Sequence, residues 1–211
     1  QSSQSMMGMM GQTSDELEES SLGSGIILSS DGYILTNYHV IEGADQLKVN
    51  AGGEEYTAQV VGTDESSDLA VLKIDATGLT AIEVGSSSDL AVGEWVMAVG
   101  SPFGLEQSVS TGIVSATSRT TSALNDSSSG SSAVYTNMIQ TDAAINPGNS
   151  GGALVDKDGK LIGVNTLIAS ASGSSSGVGF AIPVDYAMNI AQQIIDGKTP
   201  SHAQLGITGT T

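Results

Sequence analysis

The sequence predicts an all-β protein. It would be built as two six-stranded antiparallel β-barrels, with one helix at the C-terminal end. Three observations carry this. Short apolar or alternating runs recur along the chain from residue 22 at near-even spacing, the pattern of strands in a barrel or sandwich. Asp31-Gly32, Gly52-Gly53 and Asp158-Gly159 punctuate them with residues that suit tight hairpins. Only one segment, about Val184 to Ile195, shows a helical period.

Taken in order, residues 1–21 read as a flexible N-terminal arm. Met6, Met7, Met9 and Met10 lie among Ser, Gln and Gly, and the acidic run Asp15–Glu19 follows. Predicted strands at 25–29, 33–36, 46–50, 56–62, 69–74 and 80–84 make a first barrel over 22–90. Those at 95–99, 107–115, 134–140, 152–155, 161–168 and 178–182 make a second over 91–183. Twelve strands exceed one small barrel, hence the division. Residues 117–133 and 169–177 have no period and read as long loops of the kind that carry function on a rigid scaffold. The last unit, 184–211, starts with the helix. Pro183 opens it, Gly197 closes it, and Tyr186, Ile190, Ala191, Ile194 and Ile195 form its apolar positions.

Composition narrows the function. The chain has 211 residues, 6 basic and 23 acidic, for a net charge of −17. Charged residues make up 14%, against roughly 25% in an ordinary domain, and the shortfall is in bases. Six dispersed bases cannot neutralise a nucleic-acid backbone or an anionic lipid surface. No run of 18 apolar residues is present. Cysteine is absent, which removes disulfides, thiolate zinc sites and a thiol nucleophile. No His pair has zinc spacing, and Asp156-Lys157-Asp158-Gly159 reads as a turn, too short for a calcium loop. No metal and no cofactor is predicted.

Three segments carry candidate chemistry. His39, one of two histidines, follows the apolar strand 33–35 in Thr36-Asn37-Tyr38-His39-Val40. Asp68 stands at the lip of the apolar strand Leu69-Ala70-Val71-Leu72, where a buried carboxylate can orient an imidazole. Ser150 is fenced by glycines in Gly148-Asn149-Ser150-Gly151-Gly152. Glycines there let consecutive N–H groups face one point and hold an oxyanion while a Ser oxygen attacks a carbonyl. A plain Gly-Asn turn is the alternative. The order His39, Asp68, Ser150 matches the chymotrypsin-type triad and not the subtilisin or α/β-hydrolase orders. Two residues come from the first half and one from the second, as a site in the cleft between barrels requires.

The sequence resembles the HtrA (Deg) family of serine proteases over residues 22–211. The resemblance rests on Gly23-Ser24-Gly25, Thr36–Val40, Ser67-Asp68-Leu69-Ala70, Gly100-Ser101-Pro102-Phe103-Gly104, Gln140–Gly152 and Gly177-Val178-Gly179-Phe180-Ala181-Ile182-Pro183. It implies a chymotrypsin/trypsin-like fold and a serine endopeptidase acting on misfolded or extended polypeptide in protein quality control. Ser150 is then the nucleophile, His39 the general base and acid, and Asp68 its orienter. Gly148 and Ser150 supply the oxyanion-hole N–H groups, with Asn149 shaping the hole. The specificity pocket maps to Ile145, Ile168, Ala169 and Val178, implying cleavage after small aliphatic residues. The same side chains also suit the second barrel's core. Arg119, the one arginine, falls where the family places an activation sensor; a solvated loop cation is the alternative.

The resemblance further implies an extracytoplasmic location, in the periplasm or at the outer face of the membrane, with the full-length protein anchored or secreted. It implies homotrimers assembled through an N-terminal segment with aromatic contacts, although residues 1–21 contain no aromatic. It implies that 184–211 holds the helix and the start of a linker to a PDZ domain, which would begin at about Leu205–Thr211. A second reading stays open at this point: a catalytically resting or inactive polypeptide-binding, chaperone-like module on the same fold.

Overall fold

A computed structural model describes residues 23–101, 108–122, 134–146, 148–166 and 177–202. Its strands are β1 (Ile26–Ile27), β2 (Tyr33–Thr36), β3 (Leu47–Ala51), β4 (Glu54–Asp64), β5 (Leu69–Ile74), β6 (Trp95–Gly100), β7 (Ser108–Ser122), β8 (Val134–Thr141), β9 (Ala153–Val155), β10 (Leu161–Thr166) and β11 (Gly179–Pro183). Helices are α1 (Tyr38–Ile41) and α2 (Val184–Ile195), and a 3₁₀ turn spans Glu65–Ser67.

The second half is a closed barrel of order β10-β11-β8-β7-β6-β9. The first is an open sheet of five strands, β1-β2-β5-β4-β3, where six had been expected. The missing strand is 80–84. Among the described residues it has only the two-residue β1 on one side, where Ile82 N–H donates to the Ile27 carbonyl at 3.0 Å. Its other bonds leave the sheet. Leu161 N–H donates to Glu83 and Gly85 N–H to Leu161, both at 2.8 Å, so this segment straps the first half to β10.

Local signals explain most boundaries. Gly52 and Gly53, at φ +65° and +86°, make the two-residue turn that pairs Ala51 with Glu54. The predicted loop 117–133 begins later than expected, because β7 runs on to Ser122 opposite β8. Its Thr117, Thr120 and Thr121 are β-branched and favour strand. What hid the strand is its irregularity: the register slips three times, and Ser118 and Asn137 hold φ of +59° and +61°. The predicted loop 169–177 lies almost wholly outside the described residues, as does the arm 1–21.

Among the described residues, apolar side chains form three clusters. One fills the first sheet, around Ile34, Ala70 and Leu72. One fills the barrel, around Val96, Val114 and Ile162. The third lies between them and joins Leu35, Leu69 and Val71 to Leu161, Val164 and Ile182. Helix α2 completes this third cluster with Val184, Ala187, Ile190, Ala191 and Ile194. Tyr186, expected on the apolar face, is 41% exposed; Ala187, one position on, is buried in its place. The helix approaches β4 at Gly62, where a Cβ would stand 2.8 Å from Ile194 Cγ2. The register of β4 on β5 shifts there. The C-terminal helix thus locks the two halves together and fixes the cleft between them.

Candidate active site

His39 and Asp68 arrive from adjoining strand ends. β2 stops at Thr36, and His39 lies in the single turn α1 that follows. β4 stops at Asp64, the 3₁₀ turn reverses the chain, and Asp68 occupies the left-handed region at φ +56° before β5 resumes. β2 and β5 are neighbours, with Thr36 opposite Ala70, so their ends place the two side chains together. The Asp68 carbonyl accepts from Asn37 Nδ2 at 2.9 Å and from Tyr38 N–H at 3.2 Å.

The carboxylate of Asp68 is 3% exposed and well partnered. Oδ1 accepts the His39 backbone N–H at 3.0 Å. His39 Nδ1 lies 2.9 Å from Oδ1 and 2.8 Å from Oδ2. Thr166 Oγ1, from β10 in the other half, donates to Oδ2 at 3.0 Å. A ring nitrogen facing a carboxylate carries the proton, which leaves the lone pair on Nε2. The His39 side chain is 40% exposed, so the ring has a buried edge and an open edge. Thr166 was missed in the sequence reading. Its only signal is that it ends a strand whose last two residues, Asn165 and Thr166, are polar after an apolar start.

Ser150 lies in the loop between β8 and β9, and its partners come from both halves. The N–H groups of this loop divide in two. Asn149 donates to the Asn146 carbonyl at 3.0 Å, Gly151 to Asn165 at 2.9 Å and Gly152 to Asn149 at 2.9 Å. The N–H groups of Gly148 and Ser150 donate to no described residue. Gly148 holds φ +101°, open to glycine and strained for other residues. Asn149 contributes its side chain, which braces the Ala144 carbonyl at 3.3 Å. Glycine is required at 151: its φ is +80°, and a Cβ would stand 2.3 Å from Ser24 O and from Thr36 Oγ1. Among the described residues, then, two backbone donors next to the Ser150 hydroxyl in the chain have no acceptor, and such donors are what a developing oxyanion needs. No hydrogen bond joins Ser150 Oγ to His39 Nε2 among the described residues. Such bonds are often long without substrate and tighten when it binds.

The other expected residues are spread. Ile145 is 3% exposed and packs in the barrel cluster, whereas Val178 is 46% exposed. Ile168 and Ala169 lie outside the described residues. Arg119 is exposed on β7 opposite Met138. Among the described residues, no hydrogen bond links it to the Ser150 loop. A surface cleft of about 290 Å³ lined by Ser87, Asn137, Asp185 and Tyr186 contains none of the candidate residues. The described residues hold no cluster of three or more metal-ligating His, Cys, Asp or Glu side chains. None of the described helices is long and apolar enough to cross a membrane.

Comparison with known proteins follows the same lines. A family profile for the trypsin-like peptidase domain matches residues 23–164. A probable periplasmic serine endoprotease DegP-like from Halomonas elongata is 50% identical over 191 residues, covering 90% of this chain and 38% of that protein. A probable periplasmic serine protease do/HhoA-like from Haemophilus influenzae is 48% identical over 191 residues, covering 89% and 40%. Among solved structures, the HtrA-type protease AlgW with a decapeptide is 52% identical with a TM-score of 0.75, covering 83% of this chain and 52% of that one. The chain spans about two fifths of the length of these curated relatives. On the profile match and these relatives, the chain belongs to the trypsin-like peptidase family, among its HtrA-type, DegP-like serine proteases.

Proposed function

We propose that this chain is the proteolytic unit of a serine endopeptidase that cleaves extended or misfolded polypeptide through an acyl-enzyme. The observation that carries the reading is the pairing of His39 with the buried Asp68, together with a Ser150 loop whose Gly148 and Ser150 N–H groups donate to no described residue. Asp68 holds the ring with its proton on Nδ1 and balances the positive charge that develops on it. His39 Nε2 takes the Ser150 proton as Oγ attacks the scissile carbonyl. The same proton then passes to the leaving amine, and water repeats the sequence to release the acyl group. The two N–H groups bind the oxyanion in both halves of the reaction.

The finer features follow from the relatives. A peptide-bound HtrA-type protease supports peptide as substrate class, and the relatives' names support a periplasmic setting. Protein quality control would be the role of the unit there. Ile145, Ile168, Ala169 and Val178 would line the pocket before the cut and favour small aliphatic residues. Arg119 would sense activation by bonding to the oxyanion loop, for which its planar fork is suited. A PDZ domain and a homotrimer would complete the full-length protein. All three members of the His39, Asp68, Ser150 set are present, which disfavours a purely binding module.

The test is casein hydrolysis by wild type and Ser150→Ala, with fluorophosphonate labelling of both. Cleavage and labelling by wild type alone are expected. Equal cleavage by the two proteins would refute the assignment.

A further inference from the structure

The geometry points to Ser24 as a positioning residue for the oxyanion loop, a role that rests on the reading of Ser150 as nucleophile. Ser24 is 8% exposed and sits just before β1 in the first half, yet most of its bonds run to the second. Its backbone N–H donates to the Ser150 carbonyl at 2.8 Å. Its hydroxyl donates to the Gly148 carbonyl at 2.5 Å. That hydroxyl also accepts the Ser101 N–H at 2.7 Å. Its own carbonyl accepts from Thr36 Oγ1 at 2.7 Å, three residues before His39.

The hydroxyl's direction is forced. Ser101 N–H can only donate, so the single hydroxyl hydrogen must go to Gly148. Ser24 therefore grips the carbonyls of the two residues whose N–H groups donate to no described residue. One grip fixes the peptide plane between Gly148 and Asn149, the other that between Ser150 and Gly151, so each fixes the plane next to one of those N–H groups. Gly148 is the residue least able to resist rotation, since it has no Cβ and already holds φ +101°. Without the Ser24 hydroxyl, the Gly148 carbonyl and the Ser101 N–H lose a buried partner at once. The Gly148–Asn149 peptide is then free to turn, and with it the backbone angles that set where the N–H groups of Gly148 and Ser150 point. Small misplacements of this kind are costly, and loss of one oxyanion donor slows comparable enzymes about 10²–10³-fold.

The experiment compares wild type with Ser24→Ala, Ser24→Cys and Ser24→Thr. Active sites are titrated with a fluorophosphonate, and kcat and KM on a peptide substrate are expressed per titrated site. Ser24→Ala should lose about 30- to 100-fold in kcat with KM within about threefold. Ser24→Cys fills the same space with a weak donor and should lose at least about tenfold. Ser24→Thr keeps the hydroxyl and should recover most of the rate. A merely structural role lowers the titrated fraction or Tm but leaves kcat per site unchanged. Active wild type with kcat per site within about twofold in both Ser24→Ala and Ser24→Cys overturns this role alone. Wild type that neither cleaves peptide nor takes the label overturns the functional reading, and this role with it.

Discussion

Replacing Thr166 with Val tests whether the two halves of the molecule share one catalytic group. The side chain keeps its branched shape and loses only the hydroxyl that donates to Asp68 Oδ2 at 3.0 Å. Both residues are almost fully buried, at 2% and 3% exposure, so water has little access to replace the donor. A hydrogen bond to a charged group contributes about 1.5–3 kcal/mol. Asp68 keeps its other partners, the His39 backbone N–H and ring Nδ1. The loss should therefore fall mainly on stability. At about 2–4 °C per kcal/mol for a chain of this size, Tm should drop by about 3–12 °C.

The rate should suffer less than that free energy allows, because the bond exists in the free enzyme as well as in the transition state. Only the difference appears in kcat/KM. A loss of about tenfold, near 1.4 kcal/mol, is expected from poorer alignment of the ring. Thr166→Ser restores the donor and should stay within about threefold of wild type. Differential scanning fluorimetry and peptide hydrolysis read the two quantities. If Thr166→Val matches wild type in both, the bond across the cleft contributes nothing and the reasoning fails.

Three further outcomes are expected. Gly151→Ala should abolish folding or activity, since its Cβ meets Ser24 O and Thr36 Oγ1 at 2.3 Å, whereas Gly159→Ala, at φ +79° in open space, should cost about 1–2 kcal/mol; equal Tm values for the two variants would contradict this. Arg119→Ala should lower casein cleavage severalfold and, being an exposed change, leave stability within about 0.5 kcal/mol; wild-type turnover would refute the sensor role. Burial, and then the negative charge of Asp64, push the Tyr186 hydroxyl above its ordinary range despite an opposing bond with Ser67. The folded state then holds this proton more tightly than the unfolded chain. Its contribution is complete below about pH 10 and is lost as pH rises through the folded value. Melting curves from pH 9 to 11.5 should fall more steeply in wild type than in Tyr186→Phe, and parallel curves would refute it.

Much of this architecture is legible in the chain because the signals are local. Eleven of the predicted runs carry an observed strand, since alternation and hairpin glycines are written within a few residues. α2 keeps its predicted ends because Pro183 and Gly197 punctuate it. The failures have a common cause. Residues 80–84 alternate like a strand, but strand formation needs a partner edge, and β1 offers two residues. β7 beyond residue 116 lacks alternation because its bulges break the period that a reader looks for. Tyr186 fits the helical stripe by size, but the helix seats its smaller Ala187 against the strands beneath.

The site divides along the same line. His39, Asp68 and Ser150 could be found because each sits in a short motif whose residue types imply chemistry. Thr166 and the role of Ser24 could not, because they act across the fold: 98 residues separate Thr166 from Asp68, and 124 separate Ser24 from Gly148. The two contacts run in opposite senses. The second half lends a donor to the orienting carboxylate of the first, and the first lends a donor to the oxyanion loop of the second. Neither half alone can then align both the base and the hole. Correct docking of the two, through the shared apolar cluster that α2 completes, becomes a condition of activity. Weakening that docking should lower the fraction of competent sites before it unfolds the chain, so Ile194→Ala should lose titratable sites at temperatures where each half keeps its secondary structure. Loss of titratable sites and of secondary structure at one temperature would argue against this coupling.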